Sequence, residues 1–203
     1  MYITMTTFVD FVLKSGTPQL TCVRRAKRDY ERGSAPERDF YKVLRDAIPQ
    51  VHQEQKARDS LDGVLGGLKD PKKADAYAQC ISGYKQWWSK KQIKWVDIHP
   101  WDWTEGDLTV RVNPELGVMV DGHPQVIKLY FKADAASKRR IETMFHLLRL
   151  SLPEELAGAT PGILDVRRSN LFTPTTDIPD IEALLRGQAA GFATMWKQLA
   201  PGK

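Results

Sequence analysis

Up to residue 92 the apolar residues recur at helical spacing, and from 93 to 132 they alternate with polar ones, so the chain changes character near residue 92. Thr17-Pro18 supplies a capping hydroxyl and a proline at the first helical position, predicting a helix that stops at Gly33. Ser34 and Glu37 form a capping box for the next helix, with Phe40, Tyr41, Leu44, Ala47 and Ile48 as its apolar stripe up to Pro49. The polar run 50–62 is expected to continue as an exposed helix, and the Gly-rich stretch 63–67 as a connector. Asp70-Pro71 then opens a helix that places Ala74, Tyr77, Ala78, Ile81, Tyr84 and Trp88 at helical spacing.

Four short strands follow, over 93–98, 108–113, 117–121 and 125–132. Residues 99–107 read as a loop. Asn113-Pro114-Glu115 turns the second strand into the third, and Asp121-Gly122 makes a tight turn into the fourth. That turn pairs Val120 with His123, Val118 with Gln125 and Leu116 with Ile127. It places Val118, Val120, Ile127, Leu129 and Phe131 on a buried face, and Met119, Val126, Lys128, Tyr130 and Lys132 on a solvated one. Ser137 caps a helix with Ile141, Met144, Phe145 and Leu148 that ends before Pro153. A fifth strand is expected over 163–168, and a last helix from Pro179 whose Gly187 and Gly191 let a neighbour approach closely. The fold class is α+β: N-terminal helices, a four-stranded antiparallel meander, then helix, strand and helix. A helical part, 1–92, and an α+β part, 93–203, are expected to share one core.

Composition adds compartment and charge. The 203 residues hold only two cysteines, Cys22 and Cys80, which match no disulfide framework or zinc-ligand spacing. Met1–Leu13 lacks a basic leading segment, and nowhere do about 18 uncharged apolar residues run together. A cytoplasmic protein with no membrane association is the expectation; the oligomeric state is not readable. The net charge of +5 is uneven: residues 1–92 hold 17 Lys+Arg against 11 Asp+Glu, whereas residues 93–203 hold 13 against 14. The excess concentrates in the first helix, where Arg24, Arg25, Lys27 and Arg28, with Arg32 beyond, are candidate phosphate contacts.

Further basic residues gather after the fourth strand. Lys128 and Lys132 share a sheet face with Tyr130, which could stack on a base, and Lys138, Arg139 and Arg140 occupy the first turn of the next helix. Cations at a helix N-terminus oppose the macrodipole unless an acidic group or a bound anion compensates, so phosphate suits this corner. The plainer alternative is a solvated basic face partly paired with Glu142. Five of the six tryptophans fall between 87 and 103. Trp88 and Trp95 sit in regular patterns and suit a core, while Trp101 and Trp103 flank Asp102 and are candidate partner or ligand contacts.

The hairpin register sets Glu115 opposite Lys128, with Asp97 and Asp107 on neighbouring strands as further oxygen ligands for a hard cation. In its order of elements, residues 80–170 resemble the PD-(D/E)XK, or restriction-endonuclease-like, superfamily. That resemblance implies a metal-dependent nuclease with an acid-x-Lys triplet. Here the triplet is Val126-Ile127-Lys128, a valine standing where a metal-binding carboxylate belongs, so Glu115 and Lys128 become the candidate catalytic pair. Asp121 lies in the turn, too far along the strand to share a metal with Lys128. A cross-strand Glu–Lys pair on a solvated face explains the same residues without chemistry. Asp97 and His99 lack a third metal ligand, Ser82 and Lys85 lack the companion motifs of serine acyltransferases, and no GxSxG, HExxH or dinucleotide fingerprint occurs. The sequence therefore points first to a non-catalytic binding or adaptor protein that meets nucleic acid or an acidic protein through basic surface, with no cofactor. A divergent nuclease, which alone would need a divalent cation, is the alternative, and a small-molecule site at the tryptophan junction is the third.

Overall fold

A computed structural model describes residues 1–31, 33, 39–173 and 180–200. The chain opens with a short strand, β1 (Tyr2–Thr4), whose last residue caps helix α1 (Met5–Val12): Thr4 Oγ1 accepts from the Thr7 amide at 3.2 Å. Neither element was expected from the pattern, because Met5, Phe8, Val9, Phe11 and Val12 wrap α1 too broadly to give a polar face. Helix α2 (Thr17–Glu31) follows. The capping box at Ser34 and Glu37, and Arg32, lie outside the described residues. Helix α3 (Lys42–Gln53) runs through Pro49 instead of stopping there: Leu44, Ile48, Val51 and His52 form a buried stripe whose packing carries the helix past the hydrogen bond that proline cannot donate. The helix expected to continue over 50–62 does so only to Gln53, and Arg58–Gly67, including the Gly-rich stretch, forms a 3₁₀ segment anchored by Leu61. Asp70 caps α4 (Pro71–Trp88) as its sequence predicts, accepting from the Lys72 and Lys73 amides.

Among the described residues, eight strands form two mixed sheets. The larger has the order β2 (Ile93–Trp95), β5 (Leu116–Val120), β6 (His123–Tyr130), β7 (Thr160–Asp165), β8 (Asn170–Phe172), with β6 and β7 parallel and the other pairs antiparallel. The smaller sets β4 (Leu108–Val112) between β1 and β3 (Trp101–Glu105), parallel to the first and antiparallel to the second. The four-stranded meander is thus corrected. Strand β4 pairs with β1 and β3, and the Asn113-Pro114 corner carries the chain into the other sheet. The stretch read as a loop is β3, its alternating Trp101 and Trp103 facing inward.

Helix α5 (Lys138–Ser151) is the crossover between the parallel strands β6 and β7, with Ser137 Oγ accepting from the Arg140 amide at its start. Helix α6 (Ile181–Gln198) closes the chain; Pro179, its expected start, lies outside the described residues. Gly187 and Gly191 face open space, so the close approach expected there does not occur. The glycine under a tight contact is Gly83 on α4, where a methyl group would meet the Val166 carbonyl oxygen at 2.1 Å.

Two apolar clusters flank the large sheet, and each draws on both halves of the sequence. One joins α3, the 3₁₀ segment and α4 to Val118, Val120, Ile127, Leu129 and Phe131. The other joins α1, α5, α6 and the small sheet to Tyr130 and Ile163. The face expected to be solvated is therefore covered, and Val126, Lys128 and Tyr130 are buried on it. Among the described residues no helix is long and apolar enough to cross a membrane.

Candidate ligand-binding cleft

Pairing in the β5–β6 hairpin follows the predicted register residue for residue: Leu116 opposite Ile127, Val118 opposite Gln125, Val120 opposite His123. One step further, Glu115 meets Lys128, the ammonium donating to Glu115 Oε1 at 2.5 Å and to the Asn113 carbonyl at 2.8 Å. Glu115 Oε2 accepts from the Leu129 amide at 2.7 Å, and Arg45 Nε stands 3.5 Å from Oε1. Both side chains are more than nine-tenths buried, so this is an interior ion pair with its main hydrogen bonds made.

Beside this pair, where β6 ends, the surface opens into a cleft of about 380 Å³. Cavities near strand carboxyl ends are common ligand sites in sheets with parallel strands, and this volume lies within the usual range for small ligands. One wall is α1, through Thr4, Met5, Thr6 and Val9; Leu129, Tyr130 and Phe131 come from the end of β6 and just beyond, and Phe40, Tyr41 and Arg45 close another side. Met144 on α5 completes the apolar lining. Four cations reach this space: Arg45, Lys128, Lys132 and Arg140.

Each of these cations has an internal partner. Arg45 forms a two-bond contact with Asp39 and lies 5.9 Å above the Phe131 ring. Phe131 in turn stacks on Tyr41 and Tyr41 on Tyr77, while Arg167 holds the Tyr41 hydroxyl at 2.8 Å. Asp10 Oδ1 takes Arg140 Nη1 at 2.7 Å and Lys132 Nζ at 3.7 Å. Tyr130 is 7% exposed and its hydroxyl makes no hydrogen bond to a described residue; burial pushes its phenol up, with Arg140 opposing the shift.

Of the residues singled out from sequence, the cleft gathers Lys128, Tyr130, Lys132 and Arg140, with Glu115 behind them. Tyr130 cannot serve as the exposed stacking platform expected of it, because α1 and α5 pack over its face. Arg139 donates to the Val12 carbonyl at 3.2 Å, and Lys138 stands exposed, 3.7 Å from Glu142. On α2, Arg24, Arg25 and Arg28 are exposed, whereas Lys27 turns inward and donates to the Trp196 and Leu199 carbonyls. Trp103 is not the exposed residue expected, being 6% exposed with its ring 5.6 Å from Phe8, while Trp101 is half-buried and donates its indole N–H to Ser151.

Asp97 accepts from Trp95 Nε1 and Asp107 pairs with Lys197, so neither joins Glu115. Among the described residues no group of three or more His, Cys, Asp or Glu side chains is placed to hold a metal ion. Burial raises the thiol of Cys22 and pushes that of Cys80 up to about 11, which keeps both in the unreactive protonated form at neutral pH. Sequence reasoning passed over Asp39 and Arg45, which line the cleft, and Asp10, which stands outside the lining and pairs with two of its cations. The one local signal was a carboxylate at Asp10 inside an otherwise apolar helix. No protein-family model matches the chain, and no curated protein matches it significantly.

Proposed function

We propose that this is a non-catalytic binding protein whose ligand is a phosphate-bearing molecule of about nucleotide size, either free or as the unpaired end of a nucleic-acid strand. One observation carries the reading: a cleft of about 380 Å³ in which four cationic side chains from three segments converge on a partly apolar, partly aromatic lining. Oriented Arg and Lys groups at the edge of a low-dielectric cavity attract a phosphoryl group more strongly than the same charges on open surface. The volume suits a single nucleotide and is too small for a duplex or for the face of an acidic protein.

Calorimetric titration with inorganic phosphate, adenosine monophosphate and a terminally phosphorylated oligothymidylate tests this, at low and at physiological salt. Adenosine monophosphate is expected to bind, and the double variant Lys132→Ala/Arg140→Ala to lose about tenfold or more in affinity, equivalent to at least about 1.4 kcal/mol. Tighter binding of the oligonucleotide than of the mononucleotide assigns the site to a strand end, and the reverse to a free nucleotide. Heat-silent titrations with all three probes, or equal affinity in the double variant, would overturn the proposal.

A divergent metal-dependent nuclease built on Glu115 and Lys128 is the second reading, although among the described residues no further carboxylate joins that pair to hold a metal. Cleavage of the oligothymidylate with added magnesium or manganese, abolished by Glu115→Gln, would establish it. A wild type inert toward that substrate under both metals would remove it.

A further inference from the structure

Asp10 is out of character in its helix. Its neighbours Val9 and Phe11 are wholly buried, and α1 carries no other charged side chain. The Asp10 carboxylate reaches the cleft's cations, and a single oxygen, Oδ1, holds Arg140 Nη1 at 2.7 Å and Lys132 Nζ at 3.7 Å. Arg140 is held firmly, its side chain only 18% exposed, whereas Lys132 is half exposed and more loosely placed. Two like charges have been brought to one acceptor, an arrangement that costs energy unless something anionic sits between them. In the protein alone, that anion is Asp10.

We infer that Asp10, beside the cleft, is the resident anion of the cleft cations Lys132 and Arg140, and that a phosphoryl group binds by displacing it from them. The inference rests on the reading of the cleft as a phosphate site. A phosphate offers more acceptor oxygens than a carboxylate and up to twice its charge, so it can accept two N–H bonds from Arg140 and one from Lys132 together. Asp10 remains 29% exposed on its side chain, so the released carboxylate has water to turn into. Its remaining negative charge still opposes the incoming anion. Asp10 thereby sets the affinity threshold: weakly charged ligands fail to displace it, and a dianionic phosphate succeeds.

The competition makes removal of Asp10 a gain of function. In Asp10→Asn, which keeps the shape of the side chain, affinity for adenosine monophosphate is expected to rise about tenfold or more, because the binding-competent arrangement no longer has to be freed from an internal competitor. The gain for the dianion should be at least as large as the gain for acetate, because the repulsion relieved grows with the charge of the ligand. Asp10→Ala, which cannot hydrogen-bond to Arg140 at all, should show the same direction. Asp59→Asn, at an exposed acid that pairs with Lys85 and with none of the cleft's lining cations, makes the same change in net charge and should leave affinity within about twofold. Wild type binding that Asp10→Asn and Asp10→Ala leave equal or weaker overturns the role of Asp10 while the cleft reading stands. An equal gain in Asp59→Asn also overturns it, by making the effect one of net charge. Absence of binding in the wild type and in every variant overturns the cleft reading itself.

Discussion

Two concentrations of positive charge on this protein differ in how their cations are held. On α2, Arg25 and Arg28 share Asp29 at 3.7 and 3.9 Å, with side chains 76% and 49% exposed. In and beneath the cleft, Lys128 is 7% exposed and bonded to Glu115 and to a backbone carbonyl, and Arg140, 18% exposed, pairs with Asp10. Exposed pairs at such distances gain little, since water and salt screen them and ordering long side chains costs entropy. Interior pairs have already lost their water, and their geometry is fixed before any ligand arrives. The count of basic residues favours the N-terminal half of the sequence, yet positioned charge belongs to a site assembled from both halves.

The largest expected effect breaks that contrast where it is sharpest. Glu115→Ala strands the Lys128 ammonium against one carbonyl, unpairs the Leu129 amide and removes a neighbour of Arg45. A loss of about 3–5 kcal/mol in unfolding free energy is expected, read from urea denaturation. Lys128→Met should cost less, about 1–3 kcal/mol, because the carboxylate keeps Arg45 and the Leu129 amide. If Glu115→Ala costs under about 1 kcal/mol, the interior pair is no more firmly placed than an exposed one, and the distinction between the two regions fails.

A smaller effect sharpens the same point from the opposite side of the sheet, where a basic group is buried without a carboxylate. The His52 imidazole is 5% exposed, lies 2.7 Å from the Tyr84 hydroxyl and stacks near Trp88 at 4.2 Å. Burial holds its pKa down to about 4, against about 6.5 in the unfolded chain. Above pH 6.5 the ring is neutral in both states and its packing is fully available. As the pH falls toward 4 the unfolded state takes up a proton that the folded state refuses, so stability is lost through that window. Between pH 6.5 and 5, before most carboxylates titrate, the wild type should lose at most about 1.4 kcal/mol per pH unit to this group. His52→Gln should flatten that slope, and an unchanged slope would show that this imidazole protonates freely in the folded protein.

How far these contrasts could be read beforehand depended on the range of the interaction. The β5–β6 hairpin was legible because Asp121-Gly122 sets a turn and the alternation sets a face, and that register delivered Glu115 to Lys128. Parity says which residues share a face and nothing about what covers it, so Lys128 and Tyr130 looked solvated until the α5 crossover and α1 were in place. The strand at Trp101–Glu105 carried its own signal in two aromatics two residues apart, outweighed by the Pro and Gly on either side. Asp10 and Arg140 are 130 positions apart, and no local pattern links residues at that separation.

The smallest expected effect comes from α2 itself, where one helix holds both kinds of cation. Lys27 donates to the Trp196 and Leu199 carbonyls at 3.1 and 2.7 Å, closing the C-terminal end of α6, and lies 6.0 Å over the Trp196 ring. Its charge meets the negative end of the α6 dipole and satisfies carbonyls that the helix leaves open. Lys27→Met keeps the alkyl stem and removes only the ammonium, so a loss of about 1 kcal/mol is expected in urea denaturation. Arg24→Ala, Arg25→Ala and Arg28→Ala should each stay within about 0.5 kcal/mol of the wild type. Combined, the three arginine changes should leave adenosine monophosphate affinity unaltered and lower only the salt-sensitive binding of a long oligonucleotide. A matching loss of mononucleotide affinity would show that α2 contributes to the cleft, which would make the two basic regions one site.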